Sequence, residues 1–262
     1  MRKILSFNND WRFIKTSSDS SALLTADSEA VTLPHTWNAA DGQDGGNDYY
    51  RGTCRYIKEF AAPDMLPGER LYLEFPAAAM TADVSINGEK ICRHEGGFSA
   101  FRVDITDKLQ EENLLAVSVN NEDNTTVYPQ KADFTFYGGL YRGVNLILVP
   151  QEHFVLDYYG APGLKVTPAV SLEEKKAEVT VEAWVTGNAS VVHFTIDGKT
   201  ISSPVENGYA AADFTLENVR LWDGLDDPYL YTAQAALDSG DQVSVRFGCR
   251  EFKMDPQKGF FL

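Results

Sequence analysis

Nearly every apolar stretch of this chain is short and alternates with period two. "CRYIKEF" (54–60), "RLYLEF" (70–75), "ADVSI" (82–86), "LLAVSV" (114–119) and "VNLILV" (144–149) are rich in β-branched and aromatic residues and bounded by Gly, Pro or Asn-Gly. Period two sends successive side chains to opposite faces, so each segment buries one face and wets the other. No window carries a helical stripe; "KLQEENLL" (108–115) suffices for one turn at most. Asn87-Gly88 is a type I′ hairpin signal, because both positions tolerate positive φ. The fold class expected is all-β.

A boundary is expected at "VPQEH" (149–153), where a proline follows an apolar strand. Beyond it come "AEVTVEAWV" (177–185), "VVHFTI" (191–196), "AADFTL" (211–216), "YLYTAQAAL" (229–237) and "QVSVRFG" (242–248), with a second hairpin turn at Asp197-Gly198. About seven strands over roughly a hundred residues is the pattern of an immunoglobulin-like sandwich. Residues 1–150 are read as a larger β-sandwich of jelly-roll type and 151–255 as the immunoglobulin-like one. With 262 residues, 44% of them hydrophobic, the chain can bury proper cores without staples. Cys54, Cys92 and Cys249 are odd in number and lack CxxC spacing, so they read as small buried hydrophobes in strand-like runs.

A net charge of −15 argues against nucleic acid and against an anionic membrane surface as partners. "MRKILSFNNDWRF" has too short an apolar run for a signal-peptide core, which tilts the expected location toward the cytoplasm.

Catalytic motifs are absent: no Gly-x-Ser-x-Gly, HExxH, Walker loop or GxGxxG after a strand. No carboxylate pair is nominated for glycoside chemistry either. His153 and His193 read as half-buried or surface side chains. In "HTW", Trp37 reads as core with His35 satisfied beneath the loop, and "HEGGFSAF" (94–101) reads as a turn between strands.

"DFTFYGGLYRG" (133–143) stands apart. A carboxylate can accept two hydroxyl hydrogen bonds, which suits a sugar diol. Phe134, Phe136, Tyr137 and Tyr141 offer flat apolar faces for sugar C–H groups. Gly138 and Gly139 allow a turn or bulge that would aim Asp133 out of the sheet. The competing reading makes Asp133 a strand start, the aromatics core, and Arg142 the partner of a surface acid.

"DFTFYGGLYRGV" (133–144) resembles the signature closing the N-terminal domain of glycoside hydrolase family 2, the β-galactosidase, β-glucuronidase and β-mannosidase group. "NNDWRF" (8–13), "VTLPHTWN" (31–38), "YYRGTCRYIKEF" (49–60), "VSINGEKICRHEGGFSAFRVDIT" (84–106) and "ENLLAVSVNN" (112–121) agree in order. "LWDGLDDPYLYT" (221–232) and "RFGCREFKMDPQKGFFL" (246–262) resemble the end of the family's immunoglobulin-like domain.

The resemblance implies a non-catalytic N-terminal part of a retaining β-glycosidase, with 256–262 leading into a catalytic (β/α)₈ barrel that the sequence lacks. The chain alone is then expected to be inactive. In the family, the aspartate at the Asp133 position reaches sugar hydroxyls in the barrel's pocket, in some members beside a bound cation. A second loop, here "GGNDYYRG" (45–52), approaches the same pocket, where Asp48-Tyr49-Tyr50-Arg51 replaces the asparagine of the best-known members. The substrate-binding candidates are therefore Asp133, Tyr137, Asp48 and Arg51. The resemblance implies no cofactor or metal for these domains beyond that cation. Implied partners are carbohydrate, the barrel of the same polypeptide, and further copies of the parent enzyme. Two alternatives stand beside it: an autonomous carbohydrate-binding module or lectin, and a purely structural sandwich.

Overall fold

The computed structural model describes residues 1–15, 28–41, 49–127 and 135–262, which form two compact units. One comprises Lys3–Leu148; the other comprises Val149–Leu262 together with Met1–Arg2.

The first unit is built from β1 (Lys3–Ser6), β2 (Trp11–Ile14), β3 (Glu29–Val31), β4 (Thr53–Ala61), β5 (Arg70–Phe75), β6 (Thr81–Ile86), β7 (Glu89–Glu95), β8 (Phe101–Asp104), β9 (Glu112–Asn120) and β10 (Asn145–Val149). They form a four-stranded sheet in the order β1-β10-β5-β8 and a six-stranded sheet in the order β3-β2-β4-β9-β6-β7. Alternation is strict in β9: Leu115, Val117 and Val119 point inward and are fully buried, while Leu114, Ala116 and Ser118 are not. Leu71, Leu73 and Phe75 of β5 join them, with Trp11, Phe13, Tyr56, Val84 and Ile86, in one apolar core. Each such side chain contributes roughly 1.5–3 kcal/mol on burial.

Asn87-Gly88 forms the two-residue loop between Ile86 and Glu89, with φ of 51° and 84°. That is the expected I′ geometry, whose twist matches the strands it joins. Residues 108–115 form no helical turn of their own: a single 3-10 turn, Thr106–Lys108, ends at the first of them, and "ENLL" (112–115) already belongs to β9.

The second unit adds β11 (Leu164–Ser171), β12 (Lys176–Trp184), β13 (Val191–Ile196), β14 (Lys199–Pro204), β15 (Tyr209–Glu217), the short β16 (Trp222–Asp223) and β17 (Asp227–Pro228), β18 (Tyr231–Ala236) and β19 (Gln242–Phe247). The seven longer strands make two sheets, β11-β12-β15 and β14-β13-β18-β19, an immunoglobulin-like arrangement. Asp197-Gly198 closes β13 onto β14 as expected. A last hairpin pairs β20 (Lys253–Asp255) with β21 (Gly259–Phe261).

Three sequence readings need correcting. Cys92, on β7, is half-buried rather than buried. His153 is buried, not half-exposed: its Nδ1 lies 2.9 Å from Pro150 O and 3.1 Å from Thr186 Oγ1. Cys249 lies beyond β19 rather than within a strand, although it is buried as expected. Burial pushes the Cys54 thiol up to about 12 and that of Cys249 to about 11, so neither is a nucleophile at neutral pH. His193 is half-buried, as expected, between Ser202 Oγ at 2.8 Å and Asp238 Oδ1 at 3.1 Å.

Candidate functional site

The run 135–141 is not a strand. It is extended loop, held by an isolated bridge in which Ala79 N donates to Gly139 O at 3.0 Å and Gly139 N to Ala79 O at 3.2 Å. Neither glycine serves chiefly to bend the chain. A Cβ on Gly138 would sit 1.9 Å from Cζ2 of Trp37, so the backbone lies flat against that indole. Gly139 adopts φ 130°, and a Cβ there would meet His35 O at 2.4 Å.

Two buried asparagines tie the surrounding loops together. Asn38 Oδ1 accepts from Gly138 N at 2.8 Å, and its amide donates to Asp41 Oδ2 at 3.0 Å and Tyr50 O at 2.9 Å. Asn121 accepts from Gly52 N at 2.9 Å and donates to Asn38 Oδ1 at 3.3 Å and Phe136 O at 3.2 Å. Both are fully buried, so each unmade bond would carry a full desolvation cost. The sequence gives only a weak signal for them, two asparagines ending the quoted segments "VTLPHTWN" and "ENLLAVSVNN".

Beneath this lattice, His35 Nδ1 lies 2.8 Å from the Tyr56 hydroxyl. Burial lowers the His35 pKa and raises that of Tyr56, so both stay neutral at pH 7. As expected, Trp37 is core and His35 is satisfied.

Above the lattice lies a cavity of about 440 Å³ lined by Thr36, Ala79, Met80, Phe98, Thr135, Phe136, Tyr137 and Tyr141. Among the described residues its wall is mostly apolar, with two threonine hydroxyls and two phenols as polar side-chain groups. The "HEGGFSAF" segment is a turn between β7 and β8, as expected, and it supplies Phe98 to the rim. The Tyr141 hydroxyl donates to Gly97 O at 2.5 Å, and Arg142 Nη1 donates to Phe98 O at 3.2 Å. His94 anchors the base of that turn, stacked on Phe101 at 4.1 Å.

Of the four substrate-binding candidates, Asp133 and Asp48 lie outside the described residues. Tyr137 is 46% exposed and lines the cavity. Arg51 is occupied within its own chain: Nε donates to Asn121 O at 3.0 Å, and Nη1 lies 3.1 Å from Asp123 Oδ1. Among the aromatics offered as sugar faces, Phe134 is outside the described residues, Phe136 is buried and Tyr141 is tied by its hydroxyl. Among the described residues, no group of three or more His, Cys, Asp or Glu is placed to hold a metal ion.

Asp41 makes the lattice pH-sensitive. Tyr50 N donates to its carboxylate at 3.0 Å, and this bond, with those from Asn38 and the charge of Lys15, lowers its pKa. A depressed carboxyl pKa contributes stability above the unfolded value, here taken as 3.8, and that contribution is lost as pH falls through the lower folded value. Asp41→Asn is therefore expected to be less stable than wild type at neutral pH, with the gap closing below about pH 4. Urea unfolding of both chains across pH 3–7 checks it; a gap that widens in acid contradicts this role.

The galactose-binding domain-like model of glycosyl hydrolase family 2 matches residues 47–141, and the glycosyl hydrolases family 2 model matches 162–250. A β-glucuronidase of Bacteroides fragilis is 32% identical over the whole chain, which spans 40% of that relative. A β-galactosidase of Thermoanaerobacter pseudethanolicus is 25% identical over 92% of the chain and is covered over 34% of its own length. The crystal structure of an FMN-binding β-glucuronidase from Facaelibacterium prausnitzii L2-6 superposes with a TM-score of 0.89 at 41% identity, over 100% of this chain and 41% of that one. The chain thus spans 31–41% of the length of the relatives it matches over its whole extent.

Proposed function

Because this chain belongs to glycosyl hydrolase family 2, we propose that its two units are the non-catalytic N-terminal part of a retaining β-glycosidase, whose substrate pocket the first unit's loop cluster completes. One observation supports this beyond kinship: among the described residues, the 440 Å³ cavity is lined by aromatic rings and threonine hydroxyls. Such rings pack on sugar C–H faces and hydroxyls pair with sugar hydroxyls, which supports a role in binding and positioning. The chemistry then belongs to a catalytic barrel, as the partner domain of the same polypeptide.

In this reading Asp133 accepts hydroxyl hydrogen bonds from the terminal sugar, with Asp48 as a second acidic contact, and Tyr137 presents its ring beside them. Arg51, held by Asn121 and Asp123, acts by fixing its loop. A cation beside Asp133 belongs to the same proposal. FMN is recorded in the name of one relative; among the described residues, the cavity lining has no Lys, Arg or His for its phosphate. The β-glucuronidases quoted above are the more similar relatives, at 32% and 41% identity against 25%, which favours a β-glucuronide as the first substrate to try.

The test joins the chain to a family 2 barrel and measures kcat/KM on a nitrophenyl β-glucuronide. Losing a charged hydrogen bond to substrate costs roughly 1.5–3 kcal/mol, so Asp133→Ala is expected to lower kcat/KM by roughly ten- to a hundredfold. The melting temperature should barely move. A lower melting temperature with unchanged specific activity would mean that Asp133 serves its own unit. Turnover by this chain alone, abolished by a substitution within it, would overturn the non-catalytic assignment.

A further inference from the structure

We propose that Asn207-Gly208, in the turn between β14 and β15, is a site of spontaneous self-modification. Its asparagine converts to isoaspartate, whereas Asn87 of the Asn87-Gly88 turn is protected. These are the two Asn-Gly pairs of the chain, and neither belongs to the loop cluster.

The chemistry needs only the chain and water. The backbone nitrogen of the glycine loses its proton to solvent base and attacks the asparagine Cγ. The new C–N bond closes a five-membered succinimide, and the side-chain nitrogen departs as ammonia. Water then opens the ring at either carbonyl, giving aspartate or β-linked isoaspartate. Glycine favours the attack because no side chain crowds its nitrogen.

The backbone does not distinguish the two sites. Each asparagine and its glycine occupy a two-residue left-handed loop, with φ of 51° and 84° at 87–88 and of 54° and 76° at 207–208. Among the described residues, neither glycine amide donates a hydrogen bond.

The side chains differ. Asn87 is half-buried, and its Nδ2 donates to Lys108 O and to Asn113 Oδ1, each at 3.0 Å. Its Oδ1 accepts from Leu114 N at 2.9 Å. Turning Cγ toward Gly88 N breaks all three bonds and orphans groups on the buried Asn113. Asn207 is exposed, and among the described residues its carboxamide has no partner. Its Cγ is free to swing onto the Gly208 amide.

The product damages the turn that made it. In isoaspartate the main chain runs through Cβ, which adds one backbone atom to the loop. That loop is closed by Glu206 N donating to Tyr209 O at 2.8 Å and Tyr209 N to Glu206 O at 3.0 Å. A two-residue I′ turn has no place for the extra atom. Gly208 also lies close against the residue after β12: its carbonyl accepts from Val185 N at 2.9 Å, and a Cβ on it would meet Val185 O at 3.0 Å. Isoaspartate therefore displaces the hairpin tip from Val185, and the modified chain is less stable.

The test ages the intact chain in warm, mildly alkaline buffer. Its peptides are then mapped by mass spectrometry with electron-transfer fragmentation, which separates isoaspartate from aspartate. Conversion at Asn207 should outpace that at Asn87 by on the order of tenfold or more, since three hydrogen bonds protect Asn87. In urea-unfolded chain the two rates should converge, because only the shared Asn-Gly sequence then remains. Asn207→Gln, whose longer side chain cyclises far more slowly, should remove the product at this position. Ageing should lower the melting temperature of the wild-type chain and leave that of Asn207→Gln unmoved. Equal rates in the folded chain, faster conversion at Asn87, or a ratio that survives unfolding would overturn the proposal. Equal falls in melting temperature for the two aged chains would overturn the damage assigned to the turn. None of these readings depends on hydrolysis, so they stand or fall apart from the loop cluster's proposed role.

Discussion

Gly139→Ala is expected to destabilise the first unit by roughly 3–5 kcal/mol, the sum of backbone strain and forced overpacking. The added methyl would stand 2.4 Å from His35 O, 2.8 Å from the Tyr56 hydroxyl and 3.1 Å from Thr36 Cα. Two of those three atoms are backbone, and His35 N is itself committed to Leu140 O at 3.0 Å. The segment therefore cannot retreat without breaking the pairing that places residues 135–141. Gly88→Ala supplies the control: it shares a positive φ of 84°, but nothing lies within 4 Å of its added Cβ. It should lose only the left-handed penalty of about 1–2 kcal/mol. Urea denaturation of the two variants separates contact from conformation, and equal losses would show that the close approach at 139 contributes nothing.

That glycine shows where sequence reasoning stopped. Alternation located the ten strands quoted from the sequence, because burial of one face is a local property of the chain. The Asn87-Gly88 and Asp197-Gly198 turns were legible for the same reason. Close approach is not local: Gly138 meets Trp37 across a hundred residues of sequence, and a Gly-Gly pair looks alike whether it bends a strand or admits an indole. Asn38 and Asn121 were illegible as a pair because an asparagine after an aromatic or a strand reads as loop. Only the fold brings Asn121 Nδ2 within 3.3 Å of Asn38 Oδ1. Of the four candidate contacts, Tyr137 was readable as an exposed ring, whereas the engagement of Arg51 with Asn121 and Asp123 required coordinates.

Asp241→Ala should be the most damaging single change in the second unit, at roughly 3–5 kcal/mol, because it strands a buried cation. The Asp241 side chain is fully buried and its carboxylate accepts three bonds: Arg2 Nε at 3.0 Å, Arg2 Nη2 at 2.9 Å and Phe154 N at 2.8 Å. Arg2 also donates from Nη2 to Phe154 O at 3.0 Å, and its side chain is 11% exposed. Removing the carboxylate leaves a guanidinium with little access to water and orphans the Phe154 amide. The loss should persist in high salt, since ions screen a buried pair poorly. Deleting Met1 and Arg2 should reproduce most of it by leaving the carboxylate unpaired instead. The double variant Arg2→Met with Asp241→Leu separates the pair's value from the cost of breaking it. An apolar replacement of both partners often recovers stability, so the double variant is expected above either single one, with a coupling of about 0.5–3 kcal/mol. If the two single losses simply add, Arg2 and Asp241 do not act as a pair.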